Sequence, residues 1–77
     1  MTIDEAMHKI ARQIDAIAES TRDRDELLLI DCGAGEDELA AALAARDELW
    51  REFRTDQLRH VRNELENWLK RDGLSLQ

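Results

Sequence analysis

Large apolar residues recur in two blocks that mirror each other around a short glycine-containing segment, 32–36. The first block is Ile3, Met7, Ile10, Ile14 and Ile17. Its spacings alternate between four and three residues, which is the heptad rhythm of a helix buried along one edge. The second block is Leu39, Leu43, Trp50, Phe53, Leu58, Val61, Leu65, Trp68 and Leu69. Folding the chain back at Ala34 places Ile3 opposite Leu65, so the pattern predicts an antiparallel helical hairpin.

Local signals set the expected ends of the two helices, at about 3–32 and 36–71. Thr2 and Glu5 have the spacing of a capping box, which predicts that the first helix begins at residue 3. Gly33 suits the left-handed position that ends a helix. The polar segment 20–24 interrupts the apolar rhythm, so a break there is an alternative to one continuous helix.

Composition supports a single all-α domain over 1–77, with 73–77 as a frayed tail. The 77 residues include no proline and only three glycines. Alanine, leucine, glutamate and arginine, which are strong helix formers, dominate instead. No apolar run approaches the roughly 20 residues that a membrane span needs, so we expect no membrane contact. The start lacks signal-peptide features and Cys32 is the lone cysteine, both of which favour a cytoplasmic protein.

A two-helix hairpin buries only one stripe of each helix, and this chain has more apolar residues than such a stripe can hold. Residues 27–30 are four consecutive apolar positions that point in four directions around a helix. We therefore expect a homodimer, with two hairpins forming a C2-symmetric four-helix bundle. The expected interface residues are Leu27, Leu28, Ile30, Leu43, Trp50 and Phe53. The alternative is a three-helix monomer broken near 20–24.

The net charge of −7 is concentrated in the middle of the chain. Residues 15–38 contain nine acidic side chains and only two arginines, Arg22 and Arg24. The acidic set is Asp15, Glu19, Asp23, Asp25, Glu26, Asp31, Glu36, Asp37 and Glu38. Such a surface repels phosphate backbones, so we expect no direct binding to nucleic acid and consider a protein with a basic surface as a partner.

Four arginines share one broad arc of the second helix: Arg51, Arg54, Arg59 and Arg62. Acidic residues lie on the same arc, and Asp47 is four residues before Arg51. We interpret this arc as a solvated face with ion pairs along the helix, rather than as a phosphate-binding stripe.

No residue pattern predicts catalysis, a metal site or a cofactor. His8 and His60 would leave the helix contact on different flanks, and Cys32 lies among acidic residues that oppose thiolate formation. The stretch 28–35 resembles the first glycine-rich motif of Rossmann-type methyltransferases, in which a strand enters a cofactor-binding turn. Because Asp37 occupies the third glycine position and no second strand follows, we interpret it as a helix end and turn.

The sequence therefore predicts a small acidic module that binds another protein as a regulator or inhibitor. One version presents carboxylates where a nucleic-acid-binding protein would contact phosphates. The alternative is a structural module that acts through self-association, again without enzymatic activity.

Overall fold

The computed structural model describes residues 2–72, which form two helices, α1 (Ile3–Asp31) and α2 (Glu36–Asp72). The helices pack antiparallel as a hairpin of 55 × 16 × 14 Å. This confirms the all-α hairpin and both pairs of helix ends to within one residue. The expected frayed tail, 73–77, lies outside the described residues.

The first helix begins with the predicted cap. The Thr2 hydroxyl accepts a hydrogen bond from the backbone N–H of Glu5 at 3.1 Å. The carbonyl of Thr2 accepts a second one from Ala6 N–H, also at 3.1 Å. The first bond satisfies a backbone donor that would otherwise lack a partner, and the second is the first regular bond of the helix. Acidic residues in the first turn complement the helix dipole.

The turn between the helices is a Schellman motif. Gly33 has a φ of 89°, and its N–H donates to the carbonyl of Ile30 at 3.0 Å. Ala34 N–H donates to the carbonyl of Leu29 at 3.1 Å. Both bonds satisfy carbonyls at the end of α1. The next helix starts two residues later, where Leu39 N–H donates to the carbonyl of Gly35 at 2.8 Å.

The first helix is continuous through its polar segment, so the alternative of a break near 20–24 is wrong. The Ser20 and Thr21 hydroxyls donate to the carbonyl of Ile17 at 3.1 and 2.8 Å. Arg46 of α2 donates to the Thr21 hydroxyl at 3.0 Å. The hydroxyls are thus satisfied without leaving the helix, and α2 holds the segment in place.

The contact between the helices is narrow, and its centre is displaced from the predicted isoleucine edge. Among the described residues, Met7, Ala11 and Leu43 form the buried core. Ile17, expected to face α2, is 53% exposed. A straight helix drifts relative to a strict seven-residue repeat, so a contact that buries Met7 and Ala11 does not stay aligned with every isoleucine of the pattern. The contact therefore runs beside Ile17 instead of through it.

The second helix is longer than the first, and its final turns extend past the start of α1. Trp68 was expected to anchor the interhelix contact, but it is 49% exposed. Its position beyond Ile3 explains this, because the described part of α1 offers no residue at that height. Neither described helix is long and apolar enough to cross a membrane.

Candidate functional site: interaction surfaces of the hairpin

The most elaborate polar contact in the hairpin centres on Arg46, whose side chain is only 13% exposed. Its guanidinium donates to Asp25 at 2.8 Å and to Asp47 at 3.0 Å. It also donates to the carbonyl of Ala18, and it lies 5.7 Å from the centre of the Trp50 ring. All five donors of an arginine project in a fixed fork, so these contacts determine how α2 sits against α1.

The carboxylates of this network are held in their charged form. Hydrogen bonding by Arg46 lowers the pKa of Asp25 below its usual value, against the opposing effect of burial. The pKa of Asp47 is lowered by hydrogen bonds from Arg22 and then from Arg46. The pKa of Arg46 is raised in turn, chiefly by its bond to Asp25. The network is therefore a structural ion cluster, in which each charge is stabilised by its partners.

Three further ion pairs join the helices along one side of the hairpin, which we call the ion-pair flank. They link Asp4 to Arg62 at 2.8 Å, Asp15 to Arg54 at 2.9 Å, and Arg22 to Asp47 at 3.3 Å. Asp15 follows the inward-facing Ile14 by one position, and Arg62 follows Val61 by one. In both helices, the residue directly after an inward-facing residue therefore lies on this side of the antiparallel pair.

The opposite side, which we call the apolar flank, consists of Ile10, Ile17 and Leu28 of α1 with Leu49 and Phe53 of α2. Ile10 precedes the buried Ala11 by one position, and Leu49 precedes Trp50 by one. Residues one position after an inward-facing residue lie on the ion-pair flank. Residues one position before an inward-facing residue therefore lie together on the opposite side, the apolar flank. Ile17, Leu28, Leu49 and Phe53 are 53%, 54%, 65% and 46% exposed. The flank therefore leaves several apolar side chains uncovered along the hairpin, with Asp25 and Arg46 beside those nearest the turn.

Two shallow open depressions lie on this flank. The first, near the turn, is lined by Asp25, Leu28, Leu29, Cys32, Ala42 and Arg46. The second is lined by Leu49, Trp50 and Phe53, and the two aromatic rings meet edge to face with centroids 5.6 Å apart. The edge-to-face contact holds the Phe53 ring in a defined position at the surface. Both depressions are too open to surround a small molecule, so the flank suits contact with another protein surface.

A third surface extends from the middle of α1 to the turn and the first turn of α2, and we call it the acidic turn surface. Seven of the nine predicted acidic residues form no ion pair within the described part of the chain. They are Glu19, Asp23, Glu26, Asp31, Glu36, Asp37 and Glu38. Leu27 and Ile30, which are 62% and 48% exposed, lie among them and complete the surface. The two remaining predicted residues, Asp15 and Asp25, are engaged by arginines of α2.

The structure separates the six residues predicted for a dimer interface. Leu28 and Phe53 lie on the apolar flank, whereas Leu27 and Ile30 lie on the acidic turn surface. Leu43 is 8% exposed and packs between the helices of one hairpin. Trp50 is half-buried beside Arg46.

Sequence reasoning gave no role to Arg46 and placed Ile17 in the contact between the helices, whereas Leu49 was already in excess of what a narrow contact can hold. Arg46 lies three residues after Leu43 and four before Trp50, a spacing that places it on the inward face of α2. This spacing could have predicted from the sequence that Arg46 faces α1. The ion pairs of α2 also differ from expectation: Asp47 contacts Arg22 and Arg46, while Arg51 pairs with Glu48.

The residues with potential chemistry remain apart. His8 and His60 are both exposed, and Cys32 is an exposed free thiol in the turn. No group of three or more histidine, cysteine or carboxylate side chains in the described residues could hold a metal ion.

We compared the chain with known proteins. No protein-family model, curated protein or solved structure matches the chain.

Proposed function

We propose that this chain is a cytoplasmic protein–protein interaction module that regulates or inhibits a partner by covering a basic surface with its acidic turn surface. The observation that carries the proposal is the set of seven carboxylates that form no ion pair within residues 2–72, together with two exposed apolar residues, Leu27 and Ile30. The proposal includes no enzymatic step.

The arrangement of these side chains supports recognition in two stages. Carboxylates that no arginine neutralises attract a basic surface over a distance and raise the rate of encounter. Leu27 and Ile30 then provide apolar area that becomes desolvated in the complex, as in the centre of many interfaces. On α1, Glu19, Asp23, Glu26 and Ile30 follow spacings of four, three and four, so they share one face of the helix.

The same geometry supports a more specific version in which the partner is a nucleic-acid-binding protein. A row of carboxylates on a helix resembles a row of phosphates in charge, and it competes for the same lysines and arginines. The chain would then compete with nucleic acid for the partner without binding nucleic acid itself.

A charge-reversal experiment tests the proposal. The variant Asp23→Lys, Glu26→Lys, Asp37→Lys alters the acidic turn surface. The matched control Glu52→Lys, Asp56→Lys, Glu66→Lys makes the same change in net charge on α2 away from the turn. Each is used as affinity bait in native lysate from the source cells, with bound proteins identified by mass spectrometry.

We expect the wild-type protein and the control to retain the same basic protein, with retention that weakens steeply as salt is added. The turn variant should lose it. Retention that is independent of salt, or equal loss by both variants, would contradict the proposal.

A further inference from the structure

The apolar flank is a separate surface from the acidic turn surface, and it is placed symmetrically along the hairpin. Ile17 is the central residue of α1, fourteen positions from Ile3 and fourteen from Asp31. Folding the chain back at Ala34 brings Leu49 and Phe53 of α2 to nearly the same height. Ile10 and Leu28 extend the flank toward the two ends. Two hairpins related by a twofold axis through this central group would therefore lie side by side over their full length.

The exposed area of the chain is larger than a compact monomer of its mass requires. A folded monomer of 8.9 kDa exposes about 4,800 Å² by the usual scaling of surface with mass. This chain exposes 5971 Å², and it buries only three apolar residues in the part that the structure describes. The excess is about 1,200 Å², whereas each partner in a standard stable interface buries about 800 Å². The rod-shaped hairpin therefore has enough surplus surface for one standard interface along a flank.

Charge decides which way a second hairpin would lie. The half of the chain near the turn, residues 17–51, contains ten acidic and four basic side chains. The other half contains eight acidic and seven basic side chains. Two hairpins with their turns together would place the two acidic halves side by side. With the turns at opposite ends, each acidic half would instead lie beside a nearly neutral half.

We infer that a second copy of this chain covers the apolar flank, and that the two hairpins form a four-helix bundle with their turns at opposite ends. Ile17, Leu49 and Phe53 lie at the centre of the interface, on the twofold axis. Leu27 and Ile30 remain outside it. The acidic turn surface is therefore displayed twice, once at each end of the bundle. This inference does not depend on what the acidic turn surface binds.

Two leucines of nearly equal exposure provide a matched test of the interface. Leu49 is 65% exposed and lies on the apolar flank, whereas Leu27 is 62% exposed and lies outside it. Light scattering coupled to size exclusion should give the wild-type protein and Leu27→Asp twice the 8.9 kDa mass of one chain. Leu49→Asp should run at the mass of one chain, or lose its helical circular dichroism because the hairpin needs the second copy.

Three results would overturn the interface: a wild-type monomer at every concentration, an assembly of more than two chains, or a dimer that Leu49→Asp leaves intact. Phe53→Ser guards against an effect peculiar to aspartate. It removes apolar area without adding charge, and it should weaken the dimer in the same way.

Cys32 reports the orientation without any substitution, because it is exposed, lies in the turn and is the only cysteine. A spin label on each copy should give a separation of about 45 Å, since Cys32 is fifteen residues from Ile17 and a helix rises 1.5 Å per residue. Turns at the same end would place the labels within about 20 Å, or two helix spacings. That shorter separation would refute the opposed arrangement.

Discussion

At the scale of single residues, the reversal of the chain depends on Gly33. Its φ of 89° lies in the left-handed region, where a Cβ is unfavourable for most residues. A Cβ built at this position would meet no atom within 4 Å. A substitution at Gly33 therefore isolates the backbone strain, because it introduces no clash.

We expect Gly33→Ala to lower the free energy of unfolding by about 1–2 kcal/mol, the cost of the left-handed conformation for a residue with a Cβ. Urea denaturation followed by circular dichroism measures it. Gly33→Asn should lose less, because asparagine adopts this conformation more readily. Equal stability of the glycine and alanine proteins would contradict the assignment of the turn.

The carboxyls of Asp25 and Asp47 make stability depend on pH. Their pKa values in the folded protein lie below the ordinary 3.8, because Arg46 and Arg22 donate hydrogen bonds to their charged forms. A group whose pKa is lowered by folding stabilises the protein above its unfolded value, and this contribution disappears as the pH falls through the folded value.

We therefore expect the stability of the wild-type protein to fall as the pH drops below the ordinary carboxyl pKa of 3.8 and through the lower folded values. The double variant Asp25→Asn, Asp47→Asn should be less stable at neutral pH but should lose less on acidification. Urea unfolding at a series of pH values measures both. An unchanged slope in the double variant would show that these two carboxyls do not control the acid transition.

At the scale of the helical elements, α1 is continuous because α2 holds its polar segment. Arg46 bonds to Thr21, to Asp25 and to the carbonyl of Ala18, which together span two turns of α1. The network adds one geometric condition that apolar contacts alone do not impose, because an ion cluster forms in only one register of the two helices.

Removing the Arg46 side chain should loosen α1 locally. We expect Arg46→Ala to increase amide hydrogen exchange in 18–25 and to lower the midpoint of thermal unfolding. Arg51→Ala, which breaks only an exposed pair with Glu48, should change neither measurably. If both variants behave alike, the Arg46 network does not hold this segment.

At the scale of the whole molecule, the hairpin has two long flanks and an acidic turn surface, and each has a different character. The ion-pair flank is satisfied within the chain. In our proposals, a second copy covers the apolar flank and a partner protein covers the acidic turn surface. Occupying one of these surfaces leaves the others free, so dimer formation and partner binding are compatible.

Dimer formation predicts that the stability of the protein depends on its concentration. Dissociation and unfolding are then coupled, and each tenfold dilution should lower the free energy of unfolding per dimer by about 1.4 kcal/mol. Thermal unfolding at several concentrations of the wild-type protein tests this directly. A midpoint that does not move with concentration would indicate a self-sufficient hairpin.

Much of the fold could be predicted because its determinants are local. The start of α1 follows from Thr2 and Glu5, and its end from Gly33. The pairing of Ile3 with Leu65 follows from where the apolar blocks lie relative to the turn. The concentration of acidic residues near the turn is likewise a property of the sequence alone.

Only the tertiary structure decided which charges are neutralised and which apolar residues stay exposed. The pairs Asp4–Arg62 and Arg54–Asp15 join residues 58 and 39 positions apart, and no local spacing encodes such contacts. The rotation of each helix about its axis is set by which residues the packed pair buries, here Met7, Ala11 and Leu43 among the described residues. That rotation turned Ile17 outward and created the apolar flank. A heptad pattern specifies a stripe of a helix, whereas the packed pair determines which edge of that stripe is covered.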